Sequence, residues 1–152
     1  MRGCEPRARI SGVALISYAQ QLSNLAAADG AHLAVTDEHE SVTRAELESI
    51  ANRTARALAA QGVVQGDLVT IALPNSVAFV AAAIACWKLG ATPQPVSARL
   101  PKRELEVIIE LAAPRVVVDA PLPLDDVDDG PLSDAISAPW NAMTSGGSTE
   151  RP

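Results

Sequence analysis

An α/β fold, a largely parallel sheet with flanking helices, follows from three features of the 152-residue sequence. Short apolar runs rich in β-branched residues, LVTIAL at 68–73 and RVVVD at 115–119, read as strands covered on both faces. Segments with apolar residues at i, i+3, i+4 spacing alternate with those runs. Capping residues, prolines and glycines stand between the two kinds of segment where helices start and stop. This alternation argues for βαβ units.

The elements follow in order. Ser17 caps a helix running to about Ala28, with Tyr18, Leu22 and Leu25 on one face and Asp29–Gly30 ending it. HLAVT (His32–Thr36) is a short strand, and DEHES a polar turn. Thr43 and Glu46 have the spacing of a capping box, in which the hydroxyl accepts a backbone N–H three residues on and the carboxylate reaches back. Leu47, Ile50, Ala51, Thr54 and Leu58 then form one stripe, and Gly62 ends the helix. After Gln65-Gly66-Asp67 comes the 68–73 strand, stopped by Pro74. Asn75 or Ser76 caps a helix over 77–89 whose only charge is Lys88, so it is expected to pack against both sheet and neighbouring helix, and Gly90 ends it. ATPQPVS (Ala91–Ser97) is extended, and its Pro93 and Pro95 suit an edge or loop because they lack an N–H. Pro101 opens a further helix with Leu105, Ile108, Ile109 and Ala112 on one face. Pro114 ends it before the 115–119 strand.

From 120 to 139 no period survives, and the segment reads as a solvated acidic loop. Its aspartates (Asp125, Asp126, Asp128, Asp129) miss the spacing of a calcium loop, so no metal site is expected there. The organisation is therefore a leader at 1–16, expected to be poorly ordered, an α/β subdomain at 17–119, the acidic loop at 120–139 and a tail at 140–152.

Charge and composition exclude several classes. A net charge of -6 and only four aromatic residues do not make a nucleic-acid surface. The most apolar stretch, 77–89, is shorter than the roughly 20 residues a membrane-spanning helix needs. Arg2, Arg7 and Arg9 before ISGVALI are a poor export signal, interrupted by Glu5, Ser11 and Gly12. Cys4 and Cys86 make no disulfide framework, so free thiols and a cytoplasmic location are expected. His32 and His39 lack partners at metal spacing, Trp87 and Trp140 suit packing, and Lys88, Arg99, Lys102 and Arg103 read as a small solvated basic patch.

Chemistry concentrates in the tail. Thr144, Ser145, Gly146, Gly147, Ser148 and Thr149 combine unobstructed backbone N–H groups with four hydroxyls, a composition able to wrap a phosphate, though by itself it reads first as a flexible terminus. It is no Walker A loop, since no lysine follows the glycines, and no G-x-G-x-x-G opens a helix.

The stretch AELESIANRTARALAAQGVVQGDLVTIALPNSVAFVAAAIACWKLGATPQPVSARLP strongly resembles the N-terminal region of AMP-forming acyl-CoA synthetases, members of the adenylate-forming ligase superfamily. TSGGSTERP is similar to that family's phosphate signature, T-S-G-[SGT]-[ST]-T-G-x-P-K. WKLGATPQPVS and SAPWNAMTSGGST resemble the bacterial branch of fatty-acid and bile-acid CoA ligases, and the likeness covers about Ser17 to Pro152.

The resemblance implies ATP-dependent conversion of a carboxylate to an acyl-adenylate, then attack by coenzyme A to give a thioester and AMP. It implies that Thr144–Thr149 hold the β and γ phosphates, with Mg²⁺ sharing the charge. Glu150 stands where the pattern has glycine, and the signature lysine lies past Pro152. The expectation is a truncated front portion of a ligase with an incomplete sheet, inactive alone and with no catalytic residue of its own. ATP, Mg²⁺ and coenzyme A would then bind tightly only with the rest. The missing remainder, or self-association through an exposed apolar edge, supplies the expected partner, and an interaction module docking on a ligase or another protein is the alternative.

Overall fold

The structure, a computed structural model, describes residues 16–135 and 142. The elements are α1 (Tyr18–Ala28), β1 (Leu33–Thr36), β2 (Ser41–Thr43), α2 (Arg44–Ala60), β3 (Leu68–Ile71), α3 (Val77–Lys88), β4 (Thr92–Pro95), α4 (Lys102–Ala112) and β5 (Val116–Val118). β3, β4 and β5 form a parallel sheet in the order β4-β3-β5, while β1 and β2 pair separately as an antiparallel hairpin. The sheet is thus parallel as expected. The hairpin is an addition, because three residues, Ser41–Thr43, of the stretch read as a turn and a cap serve as a strand.

Local chemistry sets the helix ends. Ser17 Oγ accepts Gln20 N–H at 3.0 Å and so caps α1. At α2 the capping box closes: Glu46 N–H reaches Thr43 Oγ1 at 3.3 Å and Thr43 N–H reaches Glu46 Oε2 at 2.7 Å. Gly62 and Gly90 follow α2 and α3 with φ of 88° and 68°. At each, two N–H groups fold back onto the last turn, Gly62 to Ala59 O and Val63 to Leu58 O, Gly90 to Trp87 O and Ala91 to Cys86 O. That backbone closure needs a left-handed residue, which glycine enters without a Cβ clash. Pro101 stands one residue before α4 as its N-cap rather than inside it, and no side chain caps that helix.

β3→β4 and β4→β5 step in opposite directions across the sheet, and the right-handed rule for parallel crossovers then puts α3 and α4 on opposite faces. On the α3 face, Val69, Ile71 and Val118 meet Ala55 and Leu58 of α2 and Ala82, Ala85 and Cys86 of α3. A second cluster joins Val42, Leu47, Ala51, Val77, Ala81 and Ile84 with Leu22 and Val35 at its border. Burial of this kind contributes roughly 1.5–3 kcal/mol per large aliphatic side chain. α4 contributes to neither cluster: Leu105, Ile108, Ile109 and Ala112 are only half-buried, and Val107 and Leu111 are 49% and 83% exposed.

Two side chains depart from their sequence reading. Lys88 is buried, not part of a solvated basic patch, because the ion partner that makes burial tolerable, Glu48, comes from α2. Tyr18 and Leu25 of the α1 stripe are 61% and 39% exposed, since that stripe borders an open groove rather than a closed core.

Segment 120–135 has no regular structure, as its broken period requires, yet it is anchored and not merely solvated. Leu122 and Leu132 pack on the first cluster. Arg56 grips Asp128 at 2.7 Å and Gly130 O at 2.8 Å, Asn52 donates to Asp129 O at 2.8 Å, and Ser49 donates to Asp129 Oδ2 at 2.8 Å. Ser17 donates to Asp134. The segment is a strap across α2.

Candidate functional site

The carboxyl ends of β3 and β4 open into a cavity of about 680 Å³. Its walls come from three places: the hairpin turn (Asp37, Glu38, His39), the β3–α3 loop (Leu73 to Ser76) with Phe79, and the β4–α4 loop (Pro95 to Arg99). Ligands of open α/β sheets bind outside the carboxyl ends of parallel strands, so this is the place to look for chemistry.

The N-terminus of α3 faces this region but is already occupied. Ser76 Oγ accepts Phe79 N–H at 3.2 Å, and Asp37 Oδ2 accepts Val77 N–H at 2.9 Å. The other Asp37 oxygen accepts the N–H groups of His39 at 2.8 Å and Glu40 at 3.0 Å. Three backbone donors, Val77 first and then His39 and Glu40, hold the Asp37 carboxyl below the ordinary carboxylate range. A carboxylate of the protein therefore takes the place an external anion would have at this helix. Nothing in the polar turn DEHES pointed to that role, since Val77 lies 40 residues away from Asp37.

Elsewhere the structure offers less chemistry. Thr70 Oγ1 donates to Gln94 Oε1 at 2.6 Å between adjacent strands, a buried pair that holds the sheet together. Lys88 Nζ reaches Glu48 Oε1 at 2.7 Å and Ser23 Oγ at 3.0 Å. Its charge is matched there by the Glu48 carboxylate. Burial pushes the Cys86 thiol up to about 12, which leaves it inert as a nucleophile. Among the described residues no grouping of three His, Cys, Asp or Glu could hold a metal ion. An apolar groove of about 540 Å³ runs between α1, β1 and α3, lined by Leu22, Leu25, Leu33, Val80 and Trp87 among others, and the Tyr18 and Trp87 rings lie 5.6 Å apart beside it.

Thr144, Ser145, Gly146, Gly147, Ser148 and Thr149 lie outside the described residues, as do Glu150, Cys4 and Trp140. The chain leading to them is seen at one point: Ala142 N–H donates to Pro93 O at 2.9 Å, on the outer edge of β4.

Residues 22–143 match the family model of the AMP-binding enzymes. The chain belongs to the AMP-binding enzyme family. Relatives of this family member are adenylate-forming ligases. It is 36% identical over 141 residues to a probable non-canonical nonribosomal peptide synthetase, CymA, of Salinispora arenicola, covering 87% of this chain and 2% of that one. It is 36% identical over 98 residues to the long-chain-fatty-acid–CoA ligase FadD13 of Mycobacterium tuberculosis, covering 64% of this chain and 18% of the ligase. The inhibitor-bound N-terminal domain of FACL13 from Mycobacterium tuberculosis superposes with a TM-score of 0.66 at 28% identity, over 82% of this chain and 34% of that one. The chain thus spans a small part of the length of the curated relatives it matches. Among its described residues no helix is long and apolar enough to cross a membrane.

Proposed function

We propose that the chain forms the front of an ATP-dependent ligase that joins a fatty-acid-like carboxylate to coenzyme A through an acyl-adenylate. The observation that carries this reading is the family match over 22–143, which runs up to the small-residue segment Thr144–Thr149, together with 36% identity to a long-chain-fatty-acid–CoA ligase. Thr144 to Thr149 would hold the β and γ phosphates through backbone N–H groups and hydroxyls, stabilising charge on the leaving pyrophosphate. The α3 N-terminus, closed by Asp37, leaves that task to the tail. Mg²⁺ shared with the phosphates would supply the remaining positive charge.

The chain alone is expected to be inactive, because positioning ATP, carboxylate and coenzyme A together takes more contacts than the described residues present. Its partner in this reading is the remainder of a ligase, and the exposed Val107 and Leu111 of α4 are apolar surface suited to such packing. A cytoplasmic setting fits the same reading.

A second reading, carboxylate adenylation in a peptide synthetase without coenzyme A, is favoured by the 36% identity to CymA over 141 residues. The test is carboxylate-dependent ATP–pyrophosphate exchange, run on this chain and on the longest product of its locus. Exchange by the longer product, with AMP release that requires coenzyme A, supports the ligase. Exchange without any response to coenzyme A favours the second reading, and turnover by this chain alone overturns its insufficiency.

A further inference from the structure

The groove between α1, β1 and α3 encloses about 540 Å³, and its walls are apolar apart from three titratable or charged side chains, His32, Arg44 and Glu48. It stands open. Leu25 of α1 and Leu33 of β1 are 39% and 58% exposed along it, an apolar surface of the kind that marks a binding site. One end lies at Asp29, the C-cap of α1, which Arg44 and His32 approach to 3.7 and 3.5 Å. The other end lies at Tyr18, the first residue of α1, whose ring is 5.6 Å from that of Trp87. The 11 residues of α1 set those ends about 16 Å apart at a rise of about 1.5 Å per residue.

The charges within the groove differ in how they are met. Glu48 is bound by Lys88 and Ser23, so its carboxylate is already matched. Arg44 is not. Its contact with Asp29 is longer than a hydrogen bond, the same carboxylate oxygen also serves His32, and the guanidinium forms no hydrogen bond among the described residues. Its side chain is nevertheless only 29% exposed. A largely covered guanidinium with an open donor fork, at one end of an apolar trough, complements a molecule with a carboxylate head and a long apolar body. The length of the trough selects an extended chain over a compact ring.

We propose that this groove is a binding site for one long-chain carboxylate, its head on Arg44 and its chain running along α1 to Trp87. The site adjoins the cavity at the carboxyl ends of β3 and β4, and Phe79 is a wall common to both. It goes beyond the ligase reaction proposed above, because occupancy needs neither ATP nor coenzyme A.

The experiment follows Trp87 emission in a Trp140→Phe background while monomeric laurate carrying a single bromine is added, since bromine quenches an indole it touches. ω-Bromolaurate is expected to quench saturably, and α-bromolaurate, with its bromine at the Arg44 end, to compete for the site with little quenching. Arg44→Gln is expected to raise Kd for laurate about tenfold, the worth of one charge-assisted contact, and to leave the weaker binding of lauryl alcohol unchanged. Arg103→Gln, a cation on α4, is expected to stay within about twofold. Leu33→Glu, with an unchanged thermal midpoint, is expected to abolish binding. Absence of saturable quenching, equal quenching from the two bromine positions, or a laurate Kd indifferent to Arg44→Gln overturns the proposal. Emission that changes with protein concentration while laurate is not taken up overturns it too, and assigns the groove to a second copy of the chain. Uptake of acidic phospholipid vesicles but not of monomeric laurate overturns it in favour of a lipid surface.

Discussion

Lys88 of α3 and Glu48 of α2 form an ion pair at 2.7 Å with the lysine side chain only 5% exposed, and Ser23 of α1 donates to the same carboxylate oxygen at 2.7 Å. Three helices are tied by one charge pair that water barely reaches. Removing a single partner strands the other in a poorly solvated place, which costs about 3–5 kcal/mol, whereas replacing both with apolar groups costs far less. Lys88→Met and Glu48→Leu should therefore each lower stability by several kcal/mol in urea unfolding, and the double variant should recover most of the loss. Equal and additive losses would show that the pair is not coupled.

Gly90 carries φ of 68°, and a Cβ there would meet Gln65 Cγ at 2.8 Å and Ala135 Cβ at 3.2 Å. Gly90→Ala should cost about 1–2 kcal/mol from the left-handed backbone alone. Part of that loss should appear as faster cleavage around Ala135, measured by limited proteolysis. Gly66, with φ of 89° but open space around it, should show the backbone cost without the proteolytic change.

The strap depends on Arg56, whose guanidinium holds both Asp128 and Gly130 O. The Asp128 side chain is 70% exposed, so the ion pair itself contributes no more than about 1 kcal/mol. Arg56→Met should leave the thermal midpoint within a few degrees of wild type while markedly raising cleavage at Asp125–Asp129 by an aspartate-directed protease. Unchanged cleavage would mean that Leu122 and Leu132 suffice to hold the strap.

Asp37 gives a pH dependence of defined sign. Its folded-state pKa is held below the ordinary value, so its contribution to stability is complete above about pH 4 and is lost as pH falls through the folded value. Glu46 in the capping box, lowered by the Thr43 backbone and side chain, adds a loss in the same direction. Asp37→Asn should therefore destabilise the protein near neutral pH and flatten the acid limb of its stability curve. An acid limb identical to wild type would show that the Val77 contact does not couple to folding.

What could be read from the sequence was what neighbouring residues decide among themselves. The Thr43–Glu46 box, the Ser17 and Ser76 caps and the Gly62 and Gly90 stops all act over three to five positions and were legible, as was the parallel sheet from its apolar runs. β2 was not, because Ser41–Thr43 become a strand only by pairing with β1, and Thr43 also serves as the cap of α2. The burial of Lys88 and the engagement of Asp37 depend on partners 40 residues away, and the strap on bonds between residues 72 to 117 apart, distances that carry no local signal. The phosphate role proposed for Thr144–Thr149 rests on resemblance, since its residue types alone also fit a flexible terminus.

The outer side of β4 presents the carbonyl of Pro93, which accepts the N–H of Ala142, and neither Pro93 nor Pro95 has an amide hydrogen to offer there. Two copies of that edge brought together would set oxygen against oxygen, with no hydrogens between them. The rim is therefore a one-way socket: it can accept a strand that brings its own donors, and it cannot pair with the same edge of a second copy.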